Sequence, residues 1–130
     1  MKYMLLMNYA VDGVQPMTTW TPEEIKAHID FQNEMNAELI ANGELVEAQA
    51  LMAPELARIV TFDGRGTPVV SDGPFPESKE FLAGYRLVDV AMPERALEIA
   101  AQASAAPGPG GVPVMQPIEV RQLMSGVIDT

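Results

Sequence analysis

Two helical segments stand among short extended runs, and this order leaves few folds open. Thr21-Pro22-Glu23-Glu24 starts the first helix, because a capping threonine, a proline at the first helical position and a glutamate at the third form a capping box. The helix is expected to end near Asn42, with Gly43 taking the left-handed conformation that stops it. A second, alanine-rich helix is predicted from Pro93 to about Ala105.

Extended segments surround these helices. Apolar or alternating runs predict strands at 2–9, 45–51, 58–62, 67–71, 81–90 and 117–124. Asp63-Gly64-Arg65-Gly66 predicts a hairpin between the third and the fourth of them. The order fits a ferredoxin-like βαββαβ α+β sandwich, in which two helices cover one face of an antiparallel sheet. The other face of the sheet would expose apolar side chains, which favours a homodimer with the two sheets packed face to face.

Helical periodicity also predicts which residues pack. On the first helix the expected apolar face consists of Ile25, Ile29, Leu39 and Ile40. On the second helix the expected packing positions are Leu97, Ile99, Ala100 and Ala103. The proline- and glycine-rich segment 107–111 that follows is expected to be a flexible connection.

Composition excludes several classes of function. The 130 residues are interpreted as a single domain, 1–130, with 125–130 as a loose tail. A net charge of −10 argues against nucleic-acid binding. The absence of cysteine and the presence of only one histidine exclude disulfides, thiolate metal sites and multi-histidine zinc sites, so no metal is expected. No apolar run is long enough to span a bilayer and the N-terminus does not resemble a signal peptide, so the expected location is cytoplasmic, with no membrane partner.

The first candidate site is the proline-bearing loop between the hairpin and the next strand. Two prolines and a glycine exclude both helix and ladder, and such a loop can hold its backbone open beside a cleft. Lys79, between two glutamates, would keep its charge and suits anion binding. In the structural alternative the glycine supplies a positive φ and Phe75 fills the core. The candidate ligand-binding residues here are Asp72, Gly73, Pro74, Phe75, Glu77, Lys79 and Glu80.

The second candidate is a polar row on the first helix. His28, Gln32 and Asn36 follow one another at intervals of four, close to the apolar face. They either line a wet pocket between helix and sheet or pair with backbone at a subunit contact, because an unpaired buried polar group costs about 1–3 kcal/mol. His28 is the one side chain whose ordinary pKa suits proton transfer near neutral pH, so it is the candidate catalytic residue.

Arg86 and Arg121 form the third candidate. If they face the inner side of the sheet they could bind a carboxylate, and if they face outward they are solvated charges. Alternation leaves both orientations open, because a shift of one residue reverses the face. No GxGxxG motif, P-loop lysine or nucleophile elbow is present, so no cofactor is expected.

The segment Asp72-Gly73-Pro74-Phe75-Pro76-Glu77-Ser78-Lys79-Glu80 resembles the DGPFAETKE signature of the YCII-related domain family, in its DGPF branch. It departs from that signature at Pro76 and Ser78. The start of the chain at 2–6, the strand 83–90 and the ending at 118–123 also resemble the family. The resemblance implies a dimeric α+β barrel of ferredoxin-like subunits.

A related enzymatic branch of that family eliminates chloride with a histidine and an aspartate around the first helix. Aligned on Gly43, these positions fall at Ile29 and Ala41, so the pair does not carry over. The expected function is therefore a homodimer that binds a small anionic organic molecule in a cleft beside the 72–80 loop, with Gln32, Asn36 and Arg121 contributing. The alternative is a cofactor-independent lyase or isomerase, in which His28 carries the proton and Lys79 or Arg121 holds the negative charge.

Overall fold

A computed structural model describes residues 1–10, 17–77 and 80–124 of the chain. The tail 125–130 and Lys79 therefore lie outside the described residues. The strands are β1 (Lys2–Ala10), β2 (Leu45–Ala50), β3 (Arg58–Phe62), β4 (Pro68–Asp72), β5 (Glu80–Asp89) and β6 (Ile118–Gln122). The helices are α1 (Pro22–Ala41) and α2 (Pro93–Ser104), and short 3₁₀ turns lie at Met17–Thr19, Pro54–Leu56 and Pro109–Gly111.

Four strands form an antiparallel sheet in the order β2-β5-β1-β6. This sheet and the two helices confirm the predicted ferredoxin-like α+β class. One hydrophobic cluster joins Tyr3, Leu5 and Val88 of the sheet to both helices, so α1 and α2 cover the same face. The register of β1 against β5 shifts between Met7 and Asn8, which marks a bulge beside the centre of the sheet.

Helix α1 begins and ends as its sequence predicts. Thr21 and Glu24 form the complete capping box, and Gly43 has a φ of 71°. The predicted apolar face is correct only in part: Leu39 is buried and Ile25 is half-buried, but Ile29 and Ile40 are exposed. The buried face is turned away from these isoleucines and carries Met35 and Leu39, with Phe31 packed against them. Polar residues of α1 also lie on this face, because they form hydrogen bonds with a polar residue of the sheet, which is described below.

Helix α2 packs through its small residues. Ala96, Ile99, Ala100 and Ala103 are buried, whereas the predicted packing residue Leu97 is exposed. The segment after the helix is not the loose connection that its composition indicates. Gly108 N–H donates to Val112 O at 2.8 Å, and Gly110 N–H donates to the Glu24 carboxylate at 2.6 Å. Backbone hydrogen bonds therefore hold this segment to itself and to the first turn of α1.

Strands β3 and β4 form a two-stranded sheet of their own, as the turn sequence predicts. Nine of their ten residues are exposed, and Ile59 is half-buried. The base of the hairpin is closed by the Gly73 N–H, which donates to Ala57 O at 2.7 Å. The hairpin is thus an addition to the four-stranded sheet, inserted between β2 and β5.

The face of the main sheet opposite the helices carries an apolar strip. Met4 lies opposite Leu87 and Leu6 lies opposite Tyr85, and all four side chains are half-buried. Directly opposed residues in an antiparallel pair point to the same face, which places the four together. We call this set the open-face strip. Its outer neighbours are polar, namely Glu47, Gln49, Glu119 and Arg121.

Candidate functional site

Arg86 lies in the middle of β5 and points toward the helices. It is opposite Leu5 of β1 and Ala48 of β2, so strands flank it on both sides. Only 2% of its surface is exposed. Arginine is rarely buried to this extent unless it has charged or polar partners. The residues around Arg86 therefore form the candidate site.

The partners of Arg86 come from α1. Its Nε donates to Asn36 Oδ1 at 2.7 Å, and its Nη2 donates to Gln32 Oε1 at 2.5 Å and more weakly to the Gln32 carbonyl at 3.4 Å. Its Nη1 donates to the Met7 thioether sulfur at 3.7 Å. Every one of these acceptors is neutral. No carboxylate within the described residues lies within ion-pair distance of the guanidinium.

The network extends from Gln32 to His28, which lies nearer the N-terminus of α1. Its Nδ1 lies 2.9 Å from the Pro107 carbonyl oxygen, and its Nε2 lies 3.3 Å from Gln32 Nε2. A carbonyl oxygen accepts only, so Nδ1 carries the proton and Nε2 accepts from the Gln32 amide. The indole of Trp20 packs against the imidazole in a T-shaped arrangement, with 5.4 Å between the ring centroids. The hydrogen bonds of this network therefore all have the same direction. Arg86 donates to Gln32, and Gln32 donates to His28. His28 in turn donates to the Pro107 carbonyl.

Burial also changes the electrostatics at this point. Desolvation lowers the pKa of the Arg86 guanidinium below its ordinary value, because the charged form has lost water. Arginine nonetheless remains protonated at physiological pH. The helix–sheet boundary thus holds a positive charge with neutral partners, inside a chain whose net charge is −10.

The proline-bearing loop lies elsewhere, at the base of the hairpin. Asp72 ends β4 and lies 3.7 Å from Arg58, and Gly73 has the positive φ expected of it, 85°. Pro74 is half-buried, while Glu77 and the first residue of β5, Glu80, are exposed. The suggestion that Phe75 fills the core is wrong, because 56% of its surface is exposed.

A hollow of about 330 Å³ opens beside this loop. Among the described residues its wall is formed by Leu51, Met52, Ala53, Pro54, Leu56, Ala57, Pro74, Phe81 and Leu82, none of which is charged. Such a wall suits an apolar group. Of the loop candidates that the structure describes, Pro74 is the one that lines the hollow.

The structure also answers the question of the two arginines. Arg121 is exposed and lies opposite Met4, so it belongs to the face without helices. Arg86 faces the helices and donates hydrogen bonds to Gln32 and Asn36. The sequence indicates these two residues as a candidate site but does not link them to Arg86. Gly84 and Val88, two residues to either side on the same strand face, are buried as well. The sequence alone could not fix this register.

Across residues 1–10, 17–77 and 80–124, no three histidine, cysteine, aspartate or glutamate side chains come together in a way that could hold a metal ion. Neither helix in this part of the chain has the length and hydropathy needed to cross a bilayer.

Comparison with known proteins gives one result. The sequence model of a family described as "YCII-related domain" matches residues 1–116, which is most of the chain. Among curated proteins, no match to the sequence was found.

Proposed function

The chain belongs to the YCII-related domain family, and from that premise we propose that it is a homodimer that binds a small organic anion through Arg86. The observation that carries the proposal is the nearly complete burial of this arginine among neutral acceptors. A buried cation without a counter-charge is costly to the fold, and a bound carboxylate would remove that cost. Ligand binding therefore accounts for a feature that the fold alone does not need.

The geometry at the guanidinium supports one position for the proposed anion. The Nη1 group has the Met7 sulfur as its partner, and a thioether is a weak acceptor. A carboxylate that displaces Met7 could accept from Nη1 while Gln32 and Asn36 keep holding the other nitrogens. Methionine has three rotatable side-chain bonds and moves aside at low cost. In this proposal Gln32 and Asn36 orient the guanidinium, and Met7 covers it until the ligand arrives.

The apolar hollow beside the 72–77 loop takes the rest of the ligand. Met7 contacts Arg86 and also packs at Gly84, where its Cε lies 3.3 Å from the position of an added Cβ. Next to Gly84, the Leu51 N–H donates to Ala83 O at 2.8 Å, and Leu51 lines the hollow. The two places are thus linked by direct contacts. The ligand class is a carboxylate with an apolar body, and among the described residues the loop contributes through Pro74.

The alternative function is a cofactor-independent lyase or isomerase with His28 as the proton carrier. Pro107 O holds the imidazole in one orientation, which a general base requires. Its other nitrogen faces the Gln32 amide, however, so the lone pair that would take the substrate proton is already engaged. This arrangement favours binding without turnover.

Calorimetric titration with benzoate, acetate and neutral benzamide tests the binding proposal. The wild-type protein should bind benzoate more tightly than acetate, because only benzoate fills an apolar hollow, and should not bind benzamide. Arg86→Gln should weaken benzoate binding at least about 30-fold, as expected for loss of a buried charge-assisted hydrogen bond. Arg121→Gln removes the same charge from the exposed face and should leave binding within about twofold.

Asn36→Asp gives Arg86 a carboxylate from within the chain. We expect this variant to be more resistant to thermal unfolding and to lose benzoate binding, since the internal carboxylate competes with the ligand. Asn33→Asp makes the same change at an exposed position of α1 and serves as the control. Equal binding of benzoate by the wild type, Arg86→Gln and Asn36→Asp would refute the proposal. A wild-type protein that does not bind benzoate would refute it as well.

A further inference from the structure

The β3–β4 hairpin presents an apolar face that the subunit does not cover. The register places Val60 opposite Val70 and Phe62 opposite Pro68, so these four side chains share one face. All of them are exposed, and Phe62 has 73% of its surface in solvent. We call this set the hairpin face. An isolated two-stranded sheet is marginally stable in water, so a hairpin with this composition needs a surface to pack against.

The apolar surface continues from the hairpin into its base. Leu51, Met52 and Leu56 precede β3 and are exposed, and they line the hollow together with Pro74, which follows β4. Exposed apolar side chains are normal when they are scattered, but a continuous set at one end of a molecule indicates an interface.

An exposed apolar surface of this kind is normally covered by another molecule.

Charge favours a second copy of this chain as that molecule. The segment from Arg58 to Asp72 contains two basic and two acidic residues and has no net charge, while the whole chain carries −10. A neutral, apolar hairpin can approach an acidic copy without repulsion. A basic partner protein would instead be drawn to the acidic surfaces outside the hairpin.

We propose that the β3–β4 hairpin is an arm that packs its hairpin face against the second subunit. The inference rests on the proposed homodimer and adds to it the segment that reaches across. The open-face strip alone would join the subunits through the main sheets, and the arm extends that contact beyond the sheet.

Sedimentation over a range of concentrations tests the arm with a triple variant, Val60→Thr, Phe62→Ser and Val70→Thr, which keeps β-branched residues at both valine positions. The dimer dissociation constant should rise at least about 100-fold. Val69→Thr makes a matched change on the opposite face of the hairpin and should change it less than about threefold. A wild-type protein that is monomeric throughout would refute the homodimer itself. A dimer whose dissociation constant is unchanged in the triple variant would refute the arm and leave the homodimer standing.

Hydrogen exchange on the wild-type protein keeps the test independent of whether the variant folds. Amides of β3 and β4 should be protected at concentrations where the dimer is present and should lose protection on dilution, while amides of β1 stay protected. Rapid exchange in the hairpin of a fully dimeric sample would overturn the inference.

Discussion

Arg86 and Asn36 are joined across the boundary between sheet and helix by a 2.7 Å hydrogen bond from the guanidinium Nε to the amide oxygen. The bond connects the central part of β5 to the fourth turn of α1. It explains why a polar residue occupies the buried side of this helix while Ile29 and Ile40 face solvent. The polar row on α1 is therefore a set of partners for one buried cation.

A double-mutant cycle on this pair should show strong coupling. Arg86→Met leaves Asn36 Oδ1 without its donor, and Asn36→Leu leaves Nε without its acceptor, so each single variant should lose about 1–3 kcal/mol of unfolding free energy. The double variant removes both groups and should lose less than the sum, with a coupling energy of about 1.5–3 kcal/mol. Urea unfolding of the four proteins measures it. Additivity within about 0.5 kcal/mol would show that the bond does not contribute to stability.

Phe75→Ala should have little effect on the stability of the subunit. The ring is 56% exposed, so its truncation should cost less than about 1 kcal/mol, whereas Leu39→Ala, at a side chain 1% exposed, should cost about 2–5 kcal/mol. Thermal unfolding of both variants at a concentration where the protein is monomeric provides the comparison. A loss at Phe75 as large as the loss at Leu39 would mean that the loop packs against the core.

Glu44 should contribute to stability in a pH-dependent way. The Arg95 side chain binds its carboxylate at 2.8 and 2.9 Å and thereby lowers the pKa of Glu44. Because the folded-state pKa is depressed, the stabilisation is complete above the unfolded-state pKa and is lost as the pH falls through the folded-state pKa. Glu44→Gln should cost about 1 kcal/mol at pH 7 and nothing in strong acid.

Glu98→Gln is the control for that measurement. Glu98 also contacts Arg95, at 3.2 Å, but its side chain is largely exposed. Its neutralisation should therefore change the urea midpoint less than Glu44→Gln does at neutral pH. An effect of Glu44→Gln that is constant from strong acid to pH 7 would show that packing, not ionisation, is responsible.

Gly84→Ala should disturb the junction between β2 and β5. An added Cβ would lie 2.7 Å from Gln49 O and 3.2 Å from Ala50 Cα, and both are backbone atoms of the neighbouring strand. We expect a loss of about 1–3 kcal/mol. At Gly108 the closest atom, at 2.8 Å, belongs to the Val114 side chain, which can move, so Gly108→Ala should cost less. Equal losses in urea unfolding would contradict this reasoning.

Local signals predicted most of the fold. The capping box of α1, the glycine that ends it, the Asp63–Gly66 turn and the alternation in β6 are each determined by residues close in sequence. The packing faces were harder to predict. Ile29, Ile40 and Leu97 are apolar yet exposed, because the partners that decide burial come from distant strands.

The candidate site was predicted in part for the same reason. His28, Gln32 and Asn36 share a helix face, and helical spacing shows this directly. Arg86 lies 50 residues beyond Asn36, and its direction depends on a strand register that no local pattern sets. The segment 107–111 was misjudged because its proline and glycine content resembles a linker, while its hydrogen bonds to α1 depend on tertiary structure.

The hydrogen bonds between α1 and the segment 107–111 have a practical consequence. The chain contains one tryptophan, and its indole rests on the imidazole that bonds to Pro107. Displacement of α1 by an incoming molecule would alter the contact between these rings and with it the emission of Trp20. Trp20 is thus an intrinsic fluorescent probe of this site. It contacts His28, which is two hydrogen bonds away from the Arg86 guanidinium.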